Sequence, residues 1–487
     1  MTVRKIKIIF LVITTLVFCS SCLGFFGSLG EKIIYDEQII LTNDGKGLPS
    51  DESGFYEVDF TKADYLTDVS GINSYADGCP TISKNGVNPA VLVVPIEYPD
   101  LTAEKKGYDI DTINKIFNGK DGETYFPSVK DYYYNSSYGQ LDLNITVLDE
   151  WVTLANKSVY YEKKKNGRFG FGGDFIGDWV AIDEVMTYLE DKLDLSSFDS
   201  DGNGYIDALV IVGTNEISYD SNLGWAYRYW NGYTKQAGKL EEYDGVLVND
   251  YAWLPFAFSY EKERENGSIS YSPTAEINTK TFIHEFGHVL GAEDYYDTEY
   301  IKDPMNGFDM MDEKFNDHNP FTKMHLGWIQ KSKLVVTSEP VTLELKPFSE
   351  TGDTVIIARN WLESLGLYQE YFVICYYAQN KESEFYLPSE MIEKPCVIVY
   401  HVNASILKSK KGTEVFYELA YNNTAYTDEN GYGTENNLLE CVAWDKKPFY
   451  AKFGTVAPLT LSDGSILNAT INIVNVAKES ATLLIDL

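Results

Sequence analysis

Cysteine is scarce in this chain and poorly spaced for chemistry. Of six, Cys19 and Cys22 fall in the apolar N-terminus, and Cys79, Cys375, Cys396 and Cys441 show no paired spacing. That excludes a thiolate zinc site and a disulfide framework. Cys375, Cys396 and Cys441 instead sit in apolar strand-like runs, where buried free thiols are common, with a single disulfide among the four as the alternative. Positive charge is also in short supply: 40 Lys and Arg face 73 Asp and Glu, a formal net charge of −33. A surface that acidic excludes nucleic acid or anionic lipid as the main partner and suits a soluble protein outside the cell, with calcium as a natural ligand. Histidine occurs five times in 487 residues, so any clustering of it carries information. Internal repeats and low-complexity tracts are missing. With 44% hydrophobic and 23% charged residues the composition is that of a folded chain, and the length allows two or three domains.

The one long apolar stretch lies at the start. Arg4, Lys5 and Lys7 precede the run Ile8 to Phe18, followed by Cys19-Ser20-Ser21-Cys22-Leu23-Gly24. This is an export signal, and a small serine before Cys22 marks a lipoprotein-type cleavage site. An uncleaved anchor over Ile8 to Gly30, which holds no charge, and ordinary secretion are the alternatives. All three place the rest of the chain outside and limit membrane contact to an N-terminal lipid or signal anchor.

Four regions follow from the pattern: an export signal at 1–22, a polar lead-in or prosegment at 23–85, an α/β (α+β) domain at 86–330, and an all-β sandwich at 331–487. The apolar run Ala90 to Tyr98, bounded by Pro89 and Pro99, predicts a buried strand. Trp179, Ile182, Met186, Leu189 and Leu193 recur at helical spacing. Further buried strands are predicted at Ile206–Gly213 and Val246–Leu254. Short β-branched runs after residue 335, such as Thr354 to Ala358, Tyr371 to Tyr377, Cys396 to Val402 and Ala481 to Leu487, predict the sandwich.

The chemistry gathers on Thr279 to Leu290, a predicted helix whose Phe282, Phe286 and Val289 face a core and which Gly291 stops. His284 and His288, four residues apart, project from one face and reach one metal ion. Glu285 stands where a base for metal-activated water belongs. A catalytic zinc needs a third ligand, and Glu293, Asp294 and Asp297 all follow the helix break.

The stretch His284-Glu285-Phe286-Gly287-His288-Val289-Leu290-Gly291-Ala292-Glu293-Asp294 resembles the active-site signature of immune inhibitor A-type metallopeptidases, a metzincin-like group with HExxHxxGxxD. The resemblance extends to Phe308-Asp309-Met310-Met311-Asp312, similar to the family's Met-turn segment, although Asp312 stands where a serine is common. It also takes in Asn319 to Trp328, and upstream Ser128 to Tyr133 with Asn135 to Gly139. It implies Asp294 as third zinc ligand, Met311 as the Met-turn methionine with Met310 as rival, Glu285 as general base and acid, and protein or peptide substrates. A surface-binding protein or adhesin on the same scaffold is the alternative, and should have lost Glu285 or a histidine. An amidase using the same helix would not explain the flanking blocks.

A second cation site is suggested by Asp199, Asp201, Asn203 and Asp207, at positions 1, 3, 5 and 9 of an EF-hand-like loop with Gly204 at position 6. The closing glutamate is absent, because position 12 is Val210 in a predicted strand. The alternatives are a structural calcium or a plain acidic turn. Cys79 reads as a free or buried thiol rather than a ligand in a latent form, and His318, Tyr295 and Tyr296 as packing or surface residues rather than oxyanion donors.

Overall fold

The computed structural model describes residues 34–35, 55–61, 79–81, 88–120, 122–163, 177–218, 221–230, 242–263, 269–271, 276–297, 304–305, 307–312, 316–335, 339–378, 395–411, 414–423, 437–442, 454–456 and 458–487. The export signal, Cys22 and most of the lead-in lie outside the described residues. Among those described, no helix is long and apolar enough to cross a membrane. The fold mixes α and β with several sheets. Two compact units emerge, one of Ala90–Tyr125 with Ile145–Val289, the other of Phe126–Asn144 with Leu290–Leu487 and the described part of 27–89.

The first unit is built on three parallel strands, Ala90–Glu97, Ala208–Gly213 and Asp250–Pro255, with Val93 and Ala252 both opposite Val210. Their sequences carry no polar alternation, and every residue of the second and third is buried. Parallel strands covered on both faces read this way. Tyr227–Trp230 is the antiparallel edge beside Asp250–Pro255, and Asn144–Val147 forms the other edge. Helix Gly177–Glu190 presses Trp179, Ile182, Val185, Met186 and Leu189 into the core of this sheet.

The single strand expected over Val246–Leu254 is in fact two pieces. Val246–Leu247 folds back on Glu242–Tyr243 through Asp244 and Gly245, both at positive φ (50° and 80°), and a new strand begins at Asp250. Two central residues at positive φ make the tight turn that matches strand twist, so the hairpin ends the run.

In the second unit a six-stranded sheet runs in the order Phe55–Asp59, Lys331–Val335, Thr354–Ile357, Glu370–Tyr377, Cys396–Asn403, Leu439–Cys441. A four-stranded sheet of Val341–Leu345, Ala481–Asp486, Thr470–Val476 and Gly454–Thr455 shares an apolar core with it. Val341–Leu345 alternates buried and exposed, as a strand with one wet face should. Cys396–Asn403 is buried at every position, so the six-stranded sheet is covered on both sides at this strand. All four cysteines in described residues, Cys79, Cys375, Cys396 and Cys441, are buried.

One buried charge in this sheet gives a pH prediction. His401 Nε2 lies 2.8 Å from Glu370 Oε1, its Nδ1 3.0 Å from Glu440 Oε1, and its ring stacks on Phe372. Burial alone would push the imidazole down, but the hydrogen bonds to the two carboxylates overcome it and raise the pKa to about 9. Glu370 moves the other way: burial opposes, while His401 and the Ser462 amide hold it below the usual carboxylate range. The imidazolium's contribution is therefore complete below about 6.5 and lost as pH climbs through about 9, roughly 3 kcal/mol at full size. That of Glu370 is present above its unfolded value and lost in acid. We expect urea midpoints to fall between pH 6.5 and 9.5 in the wild type and to stay flat over that window in His401→Gln.

Candidate metal centre

The helix that positions the histidines runs Lys280–Val289. It is started by Asn278, whose side chain accepts the Lys280 amide at 2.8 Å and which is tied to the preceding segment through Ser259 O and Glu261 O. One face buries Phe282, Ile283, Phe286 and Val289, with Phe282 edge-to-face on Phe117 at 5.9 Å. Gly291 ends the helix at φ 98°, a left-handed turn that a residue with a Cβ rarely takes. Ala292–Tyr295 then run without helix or strand.

His284 and His288 hold their rings 4.9 Å apart and nearly perpendicular. Together with Asp294 they form a group whose ligand atoms all lie within 4.8 Å of one another. Of the three carboxylates that the sequence left open, Asp294 is the member of this group. Asp294 and Glu285 are both buried, at 3% and 7% exposure. Two imidazoles and a carboxylate are a donor set that zinc accepts in catalytic sites, with bonds of about 2 Å. No thiol belongs to the group, and Cys79 is buried with Sγ against Pro80 O.

Residue 295, next to Asp294, is held from several directions. Its N–H donates to Met311 O at 2.9 Å, its hydroxyl shares a 2.7 Å hydrogen bond with Thr322 Oγ1, and its carbonyl accepts from Asn423 Nδ2 at 3.0 Å. Met310 and Met311 are both fully buried. Asp309 shapes their turn by accepting from the Met311 amide at 2.7 Å and from both the amide and side chain of Asn319. Burial pushes this carboxyl up to about 7 against those hydrogen bonds. Asp312 accepts the Gly307 amide at 2.7 Å, an arrangement that gives the carboxylate a local use.

Among the residues around the site, Asn319 was within reach of the sequence, since an asparagine before Pro320 is a helix start, and it caps Thr322 N at 2.9 Å. Thr322 and Asn423 carried no such signal. Tyr295 and His318, expected as packing or surface residues, are buried, and His318 packs against Tyr132, Tyr133 and Trp328.

The second cluster joins Asp199, Asp201 and Asp207, again within 4.8 Å. Asp199 accepts the amides of Asn203 and Gly204 at 3.0 and 2.9 Å, and Asn203 Oδ1 accepts Tyr205 N at 2.9 Å. Asp207 is anchored to the sheet by the Ala90 amide at 2.7 Å and bonds the Ser200 hydroxyl. Burial raises its pKa to about 6 despite these donors.

Two histidines and a carboxylate that could together hold a metal ion, on a mixed α/β scaffold, are thus what the geometry defines. Among curated proteins the chain is similar to an immune inhibitor A of Bacillus thuringiensis subsp. alesti, 29% identical over 196 residues that cover 35% of this chain and 26% of the relative. The chain therefore spans about a quarter of that relative's length. No protein-family model matches it.

Proposed function

We propose that this chain is an extracellular zinc endopeptidase of the metzincin-like, immune inhibitor A type. The observation that carries the proposal is the convergence of His284, His288 and Asp294 around one point with Glu285 on the same helix. Zinc held there supplies Lewis acidity toward the scissile carbonyl and toward water. Glu285 accepts the proton of the attacking water and passes it to the departing amide nitrogen, so that a carboxyl and an amine are released. Its burial keeps competing water from that carboxylate. Met311 is the Met-turn methionine in this reading, and the export signal with Cys22 places the protein at the cell surface as a lipoprotein.

The test is the appearance of new N-termini in an unstructured protein incubated with the zinc-loaded chain. A loaded chain that releases none would replace the peptidase by a surface-binding protein on the same scaffold. The N-terminal residue of the exported protein decides between lipid anchor, retained helix and free secretion.

We further propose that Asp199, Asp201, Asn203 and Asp207 hold a structural calcium. Loop ligands at these spacings suit a hard, oxygen-seeking cation, and the like charges repel without one. Calcium at a hundred times its Kd should stabilise the fold by about 2.7 kcal/mol, seen as a rise in the thermal midpoint. Asp201→Ala should abolish that rise, and a wild type indifferent to calcium and to a calcium chelator would refute the site.

A further inference from the structure

We propose that Asn423, which lies 128 residues beyond Tyr295 in the β-rich part of the chain, is a positioning residue for the third metal ligand. The inference rests on the reading of Asp294 as a zinc ligand. After Gly291 no helix or strand fixes the backbone of Ala292–Tyr295, so its place is set by contacts from outside the segment. Asn423 supplies one of them. Its Nδ2 donates to Tyr295 O at 3.0 Å and to Leu439 O at 2.7 Å, while its Oδ1 accepts Leu439 N at 3.0 Å.

Three bonds hold this side chain rigidly, and it is 3% exposed, so no water competes for Tyr295 O. The amide is locked to the strand Leu439–Cys441, whose Cys441 N–H also donates to Pro304 O at 2.8 Å. The edge of the six-stranded sheet thus grips the ligand-bearing segment at residue 295 and the stretch before the methionines at residue 304. Asp294 is one peptide away from the first grip. Outer contacts that fix a ligand's orientation commonly matter 10–100-fold for metal affinity.

The experiment measures the zinc Kd of the purified full chain by competition with a chromogenic chelator. Wild type is compared with Asn423→Ala, Asp294→Ala and Asn403→Ala. Asn403 is a control: it is also buried, at the end of the strand Cys396–Asn403 that pairs with Leu439–Cys441, and bonds Ser405 and Ser462 without touching residue 295. We expect Asn423→Ala to weaken zinc binding about 10–100-fold, with peptidase activity restored by excess zinc, and Asn403→Ala to leave the Kd unchanged. An Asn423→Ala variant that binds zinc like the Asn403 control, while Asp294→Ala loses it, overturns the positioning role and leaves the ligand reading standing. Unaltered zinc binding in Asp294→Ala instead sinks the ligand reading itself. Should the alanine variant yield no folded protein, Asn423→Asp keeps the acceptor for Leu439 N and removes the donors, and it carries the same two outcomes.

Discussion

Glu285→Gln is expected to bind zinc as the wild type does and to lose peptide hydrolysis by about 10³-fold, almost wholly in kcat. Glutamine has the size of glutamate and keeps the hydrogen-bonding oxygen, so a side chain that is 7% exposed can be exchanged without opening a cavity. What it cannot do is take up a proton. General acid and base catalysis contributes about 10²–10⁴-fold, and in the proposed mechanism one carboxylate serves both halves of the reaction. The proposed ligands His284, Asp294 and His288 are untouched, which separates this variant from substitutions of those residues, expected to lose metal and activity together. Substrate contacts made equally before and during reaction survive, so KM should hardly move. The measurements are metal content by mass spectrometry and the rate at which new N-termini appear. A variant that retains zinc and cuts within tenfold of wild type would remove Glu285 from the mechanism.

That prediction rests on residues legible in the sequence, because the helix Lys280–Val289 is specified locally. Its buried face repeats at helical spacing, and the glycine that ends it adopts the conformation for which glycine is suited. Parallel strands such as Ala208–Gly213 were equally legible, since a strand covered on both faces must be apolar throughout. The choice among Glu293, Asp294 and Asp297 was not open to the sequence. After Gly291 the chain has no period from which side-chain direction could be read. Phe55–Asp59 escaped as well: only Val58 is buried in it, and its pairing with Lys331–Val335 joins residues far apart in the chain. Asn423 belongs to the same class. A buried amide in a loop becomes informative only when the fold brings Tyr295 and Leu439 to its two ends.

The largest stability effect is expected at Lys323, a lysine with no exposed surface. Its Nζ lies 2.5 Å from Asp317 Oδ2 and 3.2 Å from Tyr138 Oη, with the rings of Tyr138 and Phe348 at 4.4 and 5.0 Å. Burial pushes the ammonium's pKa down, and Asp317 opposes that by stabilising the charge. The other oxygen of Asp317 accepts Ser136 Oγ at 2.5 Å, and also the His318 amide at 2.8 Å. Lys323→Met should therefore cost about 3–5 kcal/mol, because it leaves a buried carboxylate without its counter-charge. Adding Asp317→Asn should return most of the loss, since asparagine still accepts from Ser136 and His318 but carries no charge to bury. Urea midpoints at neutral pH read both values, and a single variant within about 1 kcal/mol of wild type would show that the pair is not the anchor it looks to be. The effect should reach the proposed metal centre. Lys323 and Thr322 sit side by side in the helix Pro320–His325, and Thr322 holds the Tyr295 hydroxyl beside the proposed third ligand. Zinc affinity should accordingly weaken in Lys323→Met and recover in the double variant, in step with the midpoints.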